Sequence, residues 1–272
     1  IRDAELAIQK KEPDFSIAKL DYDDPETYKM LSRGETEGVF QLESSGMKQV
    51  LVGLQPQNLE DVIALISLYR PGPMDSIPTY LRNRHEPDKI SYKTPQLAHI
   101  LDVTNGCIVY QEQVMQIFRE LAGFSFGQAD NVRRAMSKKK HAVMEAEREH
   151  FVHGCTDPGN ECPGCVANGI SEKVANEIYD EMSSFASYAF NKSHAACYAY
   201  VAFQTAYLKC HYPSEFMAAL LTSVLDNTGK VIEYSGECAR LGIKVLPPDI
   251  NISGSGFTAC LLYTSDAADE RS

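Results

Sequence analysis

Apolar residues recur three and four positions apart along most of this chain, which is the spacing of amphipathic helices. The pattern is clear from Met47 to Leu54 and from Leu59 to Leu68. Helices are predicted over 1–11, 47–54, 59–68, 113–121, 128–150, 171–187, 193–211 and 215–225. Short apolar runs at 39–42, 107–110 and 243–246 predict extended segments. The predicted fold class is therefore mainly α with a few short strands.

Capping residues and prolines mark several helix boundaries. Asp24-Pro25 gives an N-cap followed by proline at the first helical position, and Gly34 closes that short helix. Arg70 to Pro73, which reads Arg-Pro-Gly-Pro, is a rigid break because proline disfavours helix on both sides of the glycine. Ser193 is the predicted cap of a long helix that ends near His211.

Length and charge narrow the classes of function. The 272 residues suffice for one large or two small domains, with 44% hydrophobic and 23% charged residues. No stretch approaches the roughly 18 uncharged apolar residues of a membrane helix. The net charge of −11 argues against nucleic acid coating the whole surface, but it permits a local basic site. Because the chain opens inside a helical pattern without a starting Met, we expect a piece of a longer protein.

Five cations stand close together in this otherwise acidic chain. They are Arg133, Arg134, Lys138, Lys139 and Lys140. Paired arginines suit a triphosphate, because the guanidinium fork grips oxygens in a bidentate way. A phosphodiester backbone, or a solvated charged face that continues to Glu149, would explain the same pattern.

The segment from Asn191 to Tyr198 combines a helix start with Lys192 and His194. Free backbone N–H groups and the dipole make such an N-terminus attractive to anions. The dipole also disfavours protonated His194, so a neutral hydrogen-bonding role is expected for it. An ordinary cap beside a surface lysine is the alternative.

A cysteine-rich loop follows the basic segment. His153, Cys155, Cys162 and Cys165 match a tetrahedral zinc site with three thiolates and one imidazole. Such a site would be structural, since four protein ligands leave no open position. Free surface thiols and a redox Cys-x-x-Cys are the alternatives. Four other cysteines are predicted to be reduced and buried: Cys107, Cys197, Cys210 and Cys238.

Several long sequence words occur together in a recognisable order. They are Gly38 to Met47, Tyr69 to Met74, Arg133 to Lys140, Phe190 to Tyr198, Gln204 to Lys209 and His211 to Leu220. Over about residues 1–258 the chain resembles family C replicative DNA polymerases, the alpha subunits of bacterial DNA polymerase III. The resemblance implies the fold of the fingers domain, the part of a polymerase that grips the incoming nucleotide.

The resemblance also implies roles for the candidate residues. Arg133 and Arg134 would contact the triphosphate of the incoming dNTP. Lys138, Lys139, Lys140 and Arg70 would bind phosphate or DNA nearby. The nascent base pair or the primer–template end would meet Asn191, Lys192, Ser193, His194 and Tyr198. The Cys155 to Cys165 loop is not part of the family pattern, so the resemblance lends the zinc site no support.

The resemblance places the catalytic centre elsewhere in the polymerase. The family's metal-binding aspartates would lie upstream of Ile1, so Mg²⁺ would serve the intact parent and this chain alone is expected to be inactive. Primer–template DNA and dNTPs are the expected partners, with the sliding clamp and other replisome subunits bound through other regions. The parent is expected in the cytoplasm, away from membranes. A non-catalytic nucleic-acid-binding helical module, or the fingers of an error-prone paralogue, are the alternatives.

The expected division of the chain follows the same resemblance. Residues 1–18 would end the palm or a linker helix, 19–225 would form the fingers, and 226–259 would begin the following region. Residues 260–272 drop every preceding pattern, and their start can be back-translated to a transposon-end adapter used in sequencing libraries. We therefore interpret 260–272 as a non-native tail.

Overall fold

A computed structural model describes residues 1–138, 141–186, 190–251 and 253–260 of the chain. Helices dominate this described part. They are α1 (Arg2–Gln9), α2 (Pro25–Ser32), α3 (Ser45–Leu54), α4 (Leu59–Leu68), α5 (Ile77–His85), α6 (Ala98–Leu101), α7 (Gln111–Ala122), α8 (Phe126–Ser137), α9 (His141–His153), α10 (Gly164–Ala167), α11 (Glu172–Ala186), α12 (Lys192–His211), α13 (Pro213–Ser223) and α14 (Thr228–Arg240). Short 3₁₀ turns lie at Ile17–Lys19, Pro73–Ser76, Pro87–Lys89, Pro95–Leu97 and Asp102–Thr104. The mainly α prediction is confirmed.

The described chain divides into two compact units. The first contains Ile1–Lys48 and the chain from Val201 onward, and the second contains Gln49–Tyr200. The boundaries expected at residues 18, 225 and 259 come from the resemblance, and they stay predictions. Of the expected non-native tail, 261–272 lie outside the described residues.

The first unit encloses a small apolar core and a buried ion pair. Its core residues are Ala4, Ile8, Leu208, Phe216, Met217, Leu221, Tyr234 and Cys238. Beside them, Lys209 has no exposed side-chain surface and lies 2.7 Å from Glu237. Its ammonium also donates to the backbone carbonyls of Glu35 at 3.0 Å and Glu37 at 2.8 Å. A buried ammonium tolerates desolvation only with such partners, so Lys209 ties the 35–37 turn to α12 and α14.

The second unit is built on the larger core, centred on Phe118 of α7. Its ring lies 5.3 Å from that of Phe124, 5.0 Å from Phe151 and 6.0 Å from Tyr179, measured between centroids. These neighbours come from the α7–α8 connection, α9 and α11. Edge and tilted contacts between aromatic rings add to the hydrophobic gain from burial. This packing fixes α7 and α8, which carry part of the candidate site.

The predicted helix boundaries at proline are confirmed. The Asp24 carboxylate accepts from the Thr27 backbone N–H at 2.8 Å, and α2 begins at Pro25. Gly34 follows that helix with a φ of 68°. Gly72, inside the Arg-Pro-Gly-Pro break, has a φ of 101°, which glycine adopts without steric cost.

The three predicted extended segments do not form strands in the described chain. Residues 39–42 are successive turns, in which Leu42 N–H donates to Val39 O at 3.1 Å and Gln41 has a φ of 65°. Within 107–110, Tyr110 alone pairs, in an isolated parallel bridge with Phe190. Residues 243–246 have no bridge partner among the described residues. An apolar run becomes a strand only beside another extended segment, and apart from the Tyr110–Phe190 bridge the described residues offer these runs no such partner.

No helix in the described part of the chain has the length and apolar character needed to cross a membrane.

Candidate nucleotide and nucleic-acid site

The start of α7 meets the segment that precedes α12. Gln111 N–H donates to Phe190 O at 3.0 Å, beside the Tyr110–Phe190 bridge. The Gln113 side chain fixes the entry to α7, because its Oε1 accepts from the backbone N–H groups of Val109 at 2.9 Å and Tyr110 at 3.0 Å. Residues far apart in sequence therefore lie next to each other at the second unit's α7–α12 junction.

Arg133 of α8 reaches this junction through Gln111. Its Nη1 donates to Gln111 Oε1 at 3.0 Å. Its Nε and Nη2 donate to Asp130 Oδ1 at 3.0 and 2.7 Å. Only 19% of the Arg133 side chain is exposed. A guanidinium held on two sides has a fixed direction, so Arg133 is the anchored member of the arginine pair.

Arg134 pairs with Asp130 and is otherwise largely open to solvent. Its Nη2 lies 2.7 Å from Asp130 Oδ2, and 64% of the side chain is exposed. The hydrogen bond from Arg133 lowers the pKa of Asp130 against the opposing effect of burial, and the charges of both arginines lower it further. Asp130 is thus ionised at neutral pH, and one carboxylate bridges both guanidinium groups.

Arg70 arrives at the same junction from the turn after α4. Its guanidinium carbon lies 3.5 Å from the centroid of the Phe190 ring. The turn itself is closed by a hydrogen bond from Met74 N–H to Arg70 O at 3.1 Å. The structure therefore brings Arg70 together with the segment around Phe190, and its contact with phosphate or DNA stays a prediction.

Aromatic side chains line one face at the start of α12. The Phe190 and His194 rings lie 5.2 Å apart, and those of His194 and Tyr198 lie 4.6 Å apart. Spacing of four residues places these side chains one above another on a helix. His194 is exposed, whereas Phe190 and Tyr198 are half-buried. This row of rings offers flat surfaces of the kind on which bases stack.

The predicted cap of α12 is wrong. Asn191 Oδ1, and not the Ser193 hydroxyl, accepts from the His194 backbone N–H, at 2.9 Å. Helix α12 begins at Lys192, so Ser193 lies inside the first turn, where it is exposed. Asparagine is as good a cap as serine, and Asn191 is the residue that directly precedes the helix.

A carboxylate of the chain itself already occupies the N-terminus of α12. Glu112 accepts from the Lys192 backbone N–H at 3.2 and 3.3 Å, and from Asn191 Nδ2 at 2.8 Å. The Lys192 ammonium lies 2.9 Å from Glu60 and 5.3 Å from the centroid of the Tyr110 ring. The anion-binding character expected of this helix start is therefore used internally, to dock α12 on α7.

The lysines of the basic cluster are only partly described. Helix α8 ends at Ser137, and Lys138 is its exposed C-cap, whose N–H donates to Arg134 O at 3.1 Å. Lys139 and Lys140 lie outside the described residues. The helical pattern predicted over 128–150 is described as two helices, α8 and then α9, which begins at His141.

The cysteine loop pairs two of its thiol residues. Cys155 and Cys162 face each other in an isolated antiparallel bridge. Cys165 is fully buried at the second residue of α10, and burial raises its pKa to about 12. His153 Nε2 lies 3.8 Å from Glu172 and 4.0 Å from Glu149. Among the described residues, no group of three or more His, Cys, Asp or Glu side chains is arranged to hold a metal ion. The zinc site stays a prediction.

Three site residues were missed by the sequence analysis. Asp130 stands three and four positions before the arginines, a spacing at which helical ion pairs form, so it could have been found. Gln111 and Glu112 are 22 and 79 residues from their partners Arg133 and Asn191. Nothing local in the sequence signals those two contacts.

The chain is similar in sequence to known proteins of one family. Residues 1–159 match the family described as the bacterial DNA polymerase III alpha subunit finger domain. The DNA polymerase III subunit alpha of Thermus aquaticus is 49% identical over 257 residues, which cover 93% of this chain and 20% of that protein. The corresponding subunits of Bacillus subtilis and Pasteurella multocida are 45% and 46% identical, over 92% and 93% of this chain and 22% of each relative.

The chain thus spans about a fifth of the length of these relatives. The matched family covers α1 to α9, including Arg70 and the arginine pair. The similarity to the relatives extends over nearly the whole chain. The chain belongs to the bacterial DNA polymerase III alpha subunit finger domain family.

Proposed function

We propose that this chain is the fingers part of a DNA-directed DNA polymerase that replicates bacterial DNA. In this proposal Arg133 and Arg134 bind the triphosphate of the incoming dNTP. The segment from Asn191 to Tyr198 lies against the nascent base pair or the primer–template end. The observation that carries the proposal is the line of contacts from Arg133 through Gln111 and Phe190 to Arg70, which joins candidate phosphate-binding and base-binding groups within one compact unit.

The way in which Asp130 pairs with both arginines indicates why the arginine pair suits a triphosphate. The Asp130 carboxylate offers two oxygens, one to Arg133 and the other to Arg134. Two phosphate oxygens present the same geometry with more negative charge, and arginine binds both groups through its planar fork. Arg134, which is the more exposed, would exchange Asp130 for the nucleotide. Arg133 would stay anchored and direct the pair.

The row of rings at the start of α12 supports the base-binding half of the proposal. Arg70 lies over the Phe190 ring, and such a cation–π contact holds the ring in one orientation. The exposed His194 ring stands between Phe190 and Tyr198. Ser193 is exposed on the first turn, so it can approach a primer–template end. Lys192 lies beside it and would have to exchange Glu60 for the DNA to do the same. Stacking and neutral hydrogen bonds would serve this contact.

The parent reaction is proposed to transfer a deoxynucleotide to a primer 3′ hydroxyl with release of pyrophosphate. Magnesium, held by carboxylates in another part of the polymerase, would supply charge neutralisation and activation of the hydroxyl. This chain would contribute positioning and further neutralisation at the triphosphate, effects on which phosphoryl transfer depends strongly. Lys138, Lys139 and Lys140 would contact phosphate or the DNA backbone.

The remaining assignments belong to the longer polymerase. Primer–template DNA and dNTPs are the proposed ligands of the fingers. The sliding clamp and other replisome subunits would bind regions outside this chain, and the cytoplasm is the proposed site of action. A non-catalytic binding module fits less well, because the chain matches a polymerase family.

Primer extension tests the proposal. The longer polymerase that contains this chain should extend a primed template when Mg²⁺ and four dNTPs are present. The purified chain alone should incorporate no label above a blank without protein. Incorporation by the chain alone would show that it holds its own catalytic carboxylates. A folded longer protein that binds primed DNA without extending it would contradict the proposed function.

A further inference from the structure

Cys155 and Cys162 stand directly opposite each other across a narrow antiparallel bridge. Cys155 N–H donates to Cys162 O at 2.9 Å, and Cys162 N–H donates to Cys155 O at the same distance. Residues that exchange both hydrogen bonds have Cα atoms about 5.5 Å apart. That separation lies within the range that a disulfide spans, about 4.4–6.8 Å. The backbone therefore already holds the two cysteines at bridging distance.

The flanking glycines keep the two cysteines in register. Gly154 has a φ of 89°, and a Cβ added to it would lie 2.5 Å from Pro163 O. Gly164 has a φ of 77°, and a Cβ there would lie 2.3 Å from Gly154 N. Side chains at either position would force the backbones apart. Because the two chain segments approach this closely at the end of the bridge away from the turn, they hold Cys155 opposite Cys162.

The intervening loop is a turn that leaves the pair undisturbed. Asn160 N–H donates to Asp157 O at 2.9 Å, and Gly159 N–H donates to the Glu161 side chain at 3.0 Å. Gly159 itself has a φ of 85° with no atom within 4 Å of an added Cβ. Closing a bond between residues 155 and 162 would thus require no rearrangement of the turn.

We propose that Cys155 and Cys162 form a reversible dithiol–disulfide pair, which reacts with small-molecule disulfides. Cys155 is half-buried and accessible to a reagent, whereas 8% of Cys162 is exposed. Cys165 is fully buried in the apolar core, so it does not compete. The pair is independent of the polymerase function proposed above. Two facing thiols fit the described geometry better than a four-ligand zinc site, since no metal-holding group is formed among the described residues.

The proposed reaction is two successive thiol–disulfide exchanges. The Cys155 thiolate attacks one sulfur of oxidised glutathione, forms a mixed disulfide and expels one glutathione thiolate. The Cys162 thiolate then attacks the Cys155 sulfur, forms the protein disulfide and expels the second glutathione thiolate. The protein loses two electrons and two protons, and one oxidised glutathione becomes two reduced molecules. Excess reduced glutathione reverses both steps.

Peptide mapping of the oxidised chain tests the proposal. The reduced chain is incubated with oxidised glutathione, free thiols are alkylated, and the chain is cleaved after Glu161 without reductant. Since this cleavage separates Cys155 from Cys162 but leaves Cys162 and Cys165 in one peptide, fragmentation of the linked peptide pair is needed to show that the bond is to Cys162 and that Cys165 is alkylated. The linked pair should form in the unmodified chain and in Cys197→Ser, and should be absent from Cys162→Ser. Its formation should raise Tm by about 5 °C, as for a loop of this length, and dithiothreitol should reverse the rise.

Three results would overturn the proposal. The first is glutathione retained on Cys155 while Cys162 remains free. The second is a link from Cys155 to Cys165. The third is a chain that carries one equivalent of zinc by elemental analysis, with both thiols protected from the oxidant. Each of these three results can be measured on the unmodified chain. The proposal can therefore be tested even if Cys162→Ser fails to fold. The double variant Cys155→Ser/Cys162→Ser, under the same oxidant, should show no rise in Tm.

Discussion

The Arg70 guanidinium lies 3.5 Å from the centroid of the Phe190 ring. The two residues are 120 positions apart, in the turn after α4 and in the bridge before α12. A cation over an aromatic face is attracted by the ring quadrupole, and burial on one side strengthens the attraction. This contact therefore fixes the side chain that begins the row of rings on α12.

Replacing Phe190 with leucine should weaken this part of the second unit. Leucine keeps an apolar side chain but removes the ring face, so the free energy of unfolding should fall by about 1 kcal/mol. Phe126→Leu is the matched control, because Arg119 lies 5.9 Å from an exposed Phe126 ring. Urea denaturation of both variants measures the difference. Equal losses of unfolding free energy in Phe190→Leu and Phe126→Leu would show that the contact between Arg70 and Phe190 adds no stability.

The cap of α12 can be tested by paired alanine substitutions. Asn191→Ala should lower the free energy of unfolding by about 1 kcal/mol, because it removes the cap of His194 N–H and the bond to Glu112. Ser193→Ala, two residues later and exposed, should change it by less than about 0.5 kcal/mol. Denaturation midpoints compare the two. A larger loss from Ser193→Ala would restore serine as the cap.

Gln111 should act as a positioning residue for Arg133. In the longer polymerase, Gln111→Ala should raise KM for dNTP by about fivefold, because Arg133 loses the hydrogen bond that directs it. Gln116→Ala is the control on the same helix, since the Gln116 side chain donates to Glu120 in an exposed pair. Steady-state kinetics and melting curves separate the two effects. A fall in Tm without a change in KM would make Gln111 purely structural.

The reactivity of each cysteine thiol should fall as its burial increases. Burial raises the pKa of Cys107 to about 11 and that of Cys165 to about 12. A pH of 8 lies well below both pKa values, so less than about 1% of either cysteine would be present as the reactive thiolate. The prediction that Cys197 and Cys210 are buried is wrong, since Cys197 is exposed and Cys210 is half-buried. Cys197 and Cys260, which are both exposed, should therefore react first with a thiol reagent such as Ellman's reagent. Mass mapping of a time course checks the order, and early labelling of Cys165 would contradict its burial.

Local signals in the sequence predicted the helices well. Asp24-Pro25 specifies the start of α2 because the cap bond and the fixed proline φ need only neighbouring residues. The basic cluster was evident from composition, and Asp130 could have been found from its helical spacing to both arginines. The apolar runs at 107–110 and 243–246 misled the analysis, because an extended segment becomes a strand only when the fold supplies a partner.

The tertiary part of the site could not be predicted locally. Glu112 at the start of α12 and Gln111 beside Arg133 are set by how α7 packs on its neighbours. Asn191 caps the helix with its Oδ1 while its Nδ2 donates to Glu112, 79 positions away in the chain. Such contacts follow from the packed core around Phe118, and a single sequence carries no separate signal for them.

The central claim is that Arg134 contacts the triphosphate, and its closest alternative is that the basic cluster tracks the DNA backbone. The two hypotheses predict that substitution of a basic residue lowers different quantities. A triphosphate contact strengthens where charge shifts during transfer, so its loss lowers kcat/KM for the nucleotide. A backbone contact contributes to DNA affinity and to its dependence on salt. Lys139→Ala is proposed to show the second behaviour, with the salt slope reduced by about one unit.

The most direct measurement is kcat/KM for a single nucleotide in the longer polymerase carrying Arg134→Ala, with primer–template affinity measured at several salt concentrations. We expect a loss of roughly 2–4 kcal/mol in transition-state stabilisation, about 30- to 900-fold in kcat/KM, with DNA affinity changed less than about threefold. Arg134→Lys should recover part of the loss, since an ammonium keeps the charge without the fork. Unchanged nucleotide kinetics with weakened DNA binding would contradict the assignment of Arg134 to the triphosphate.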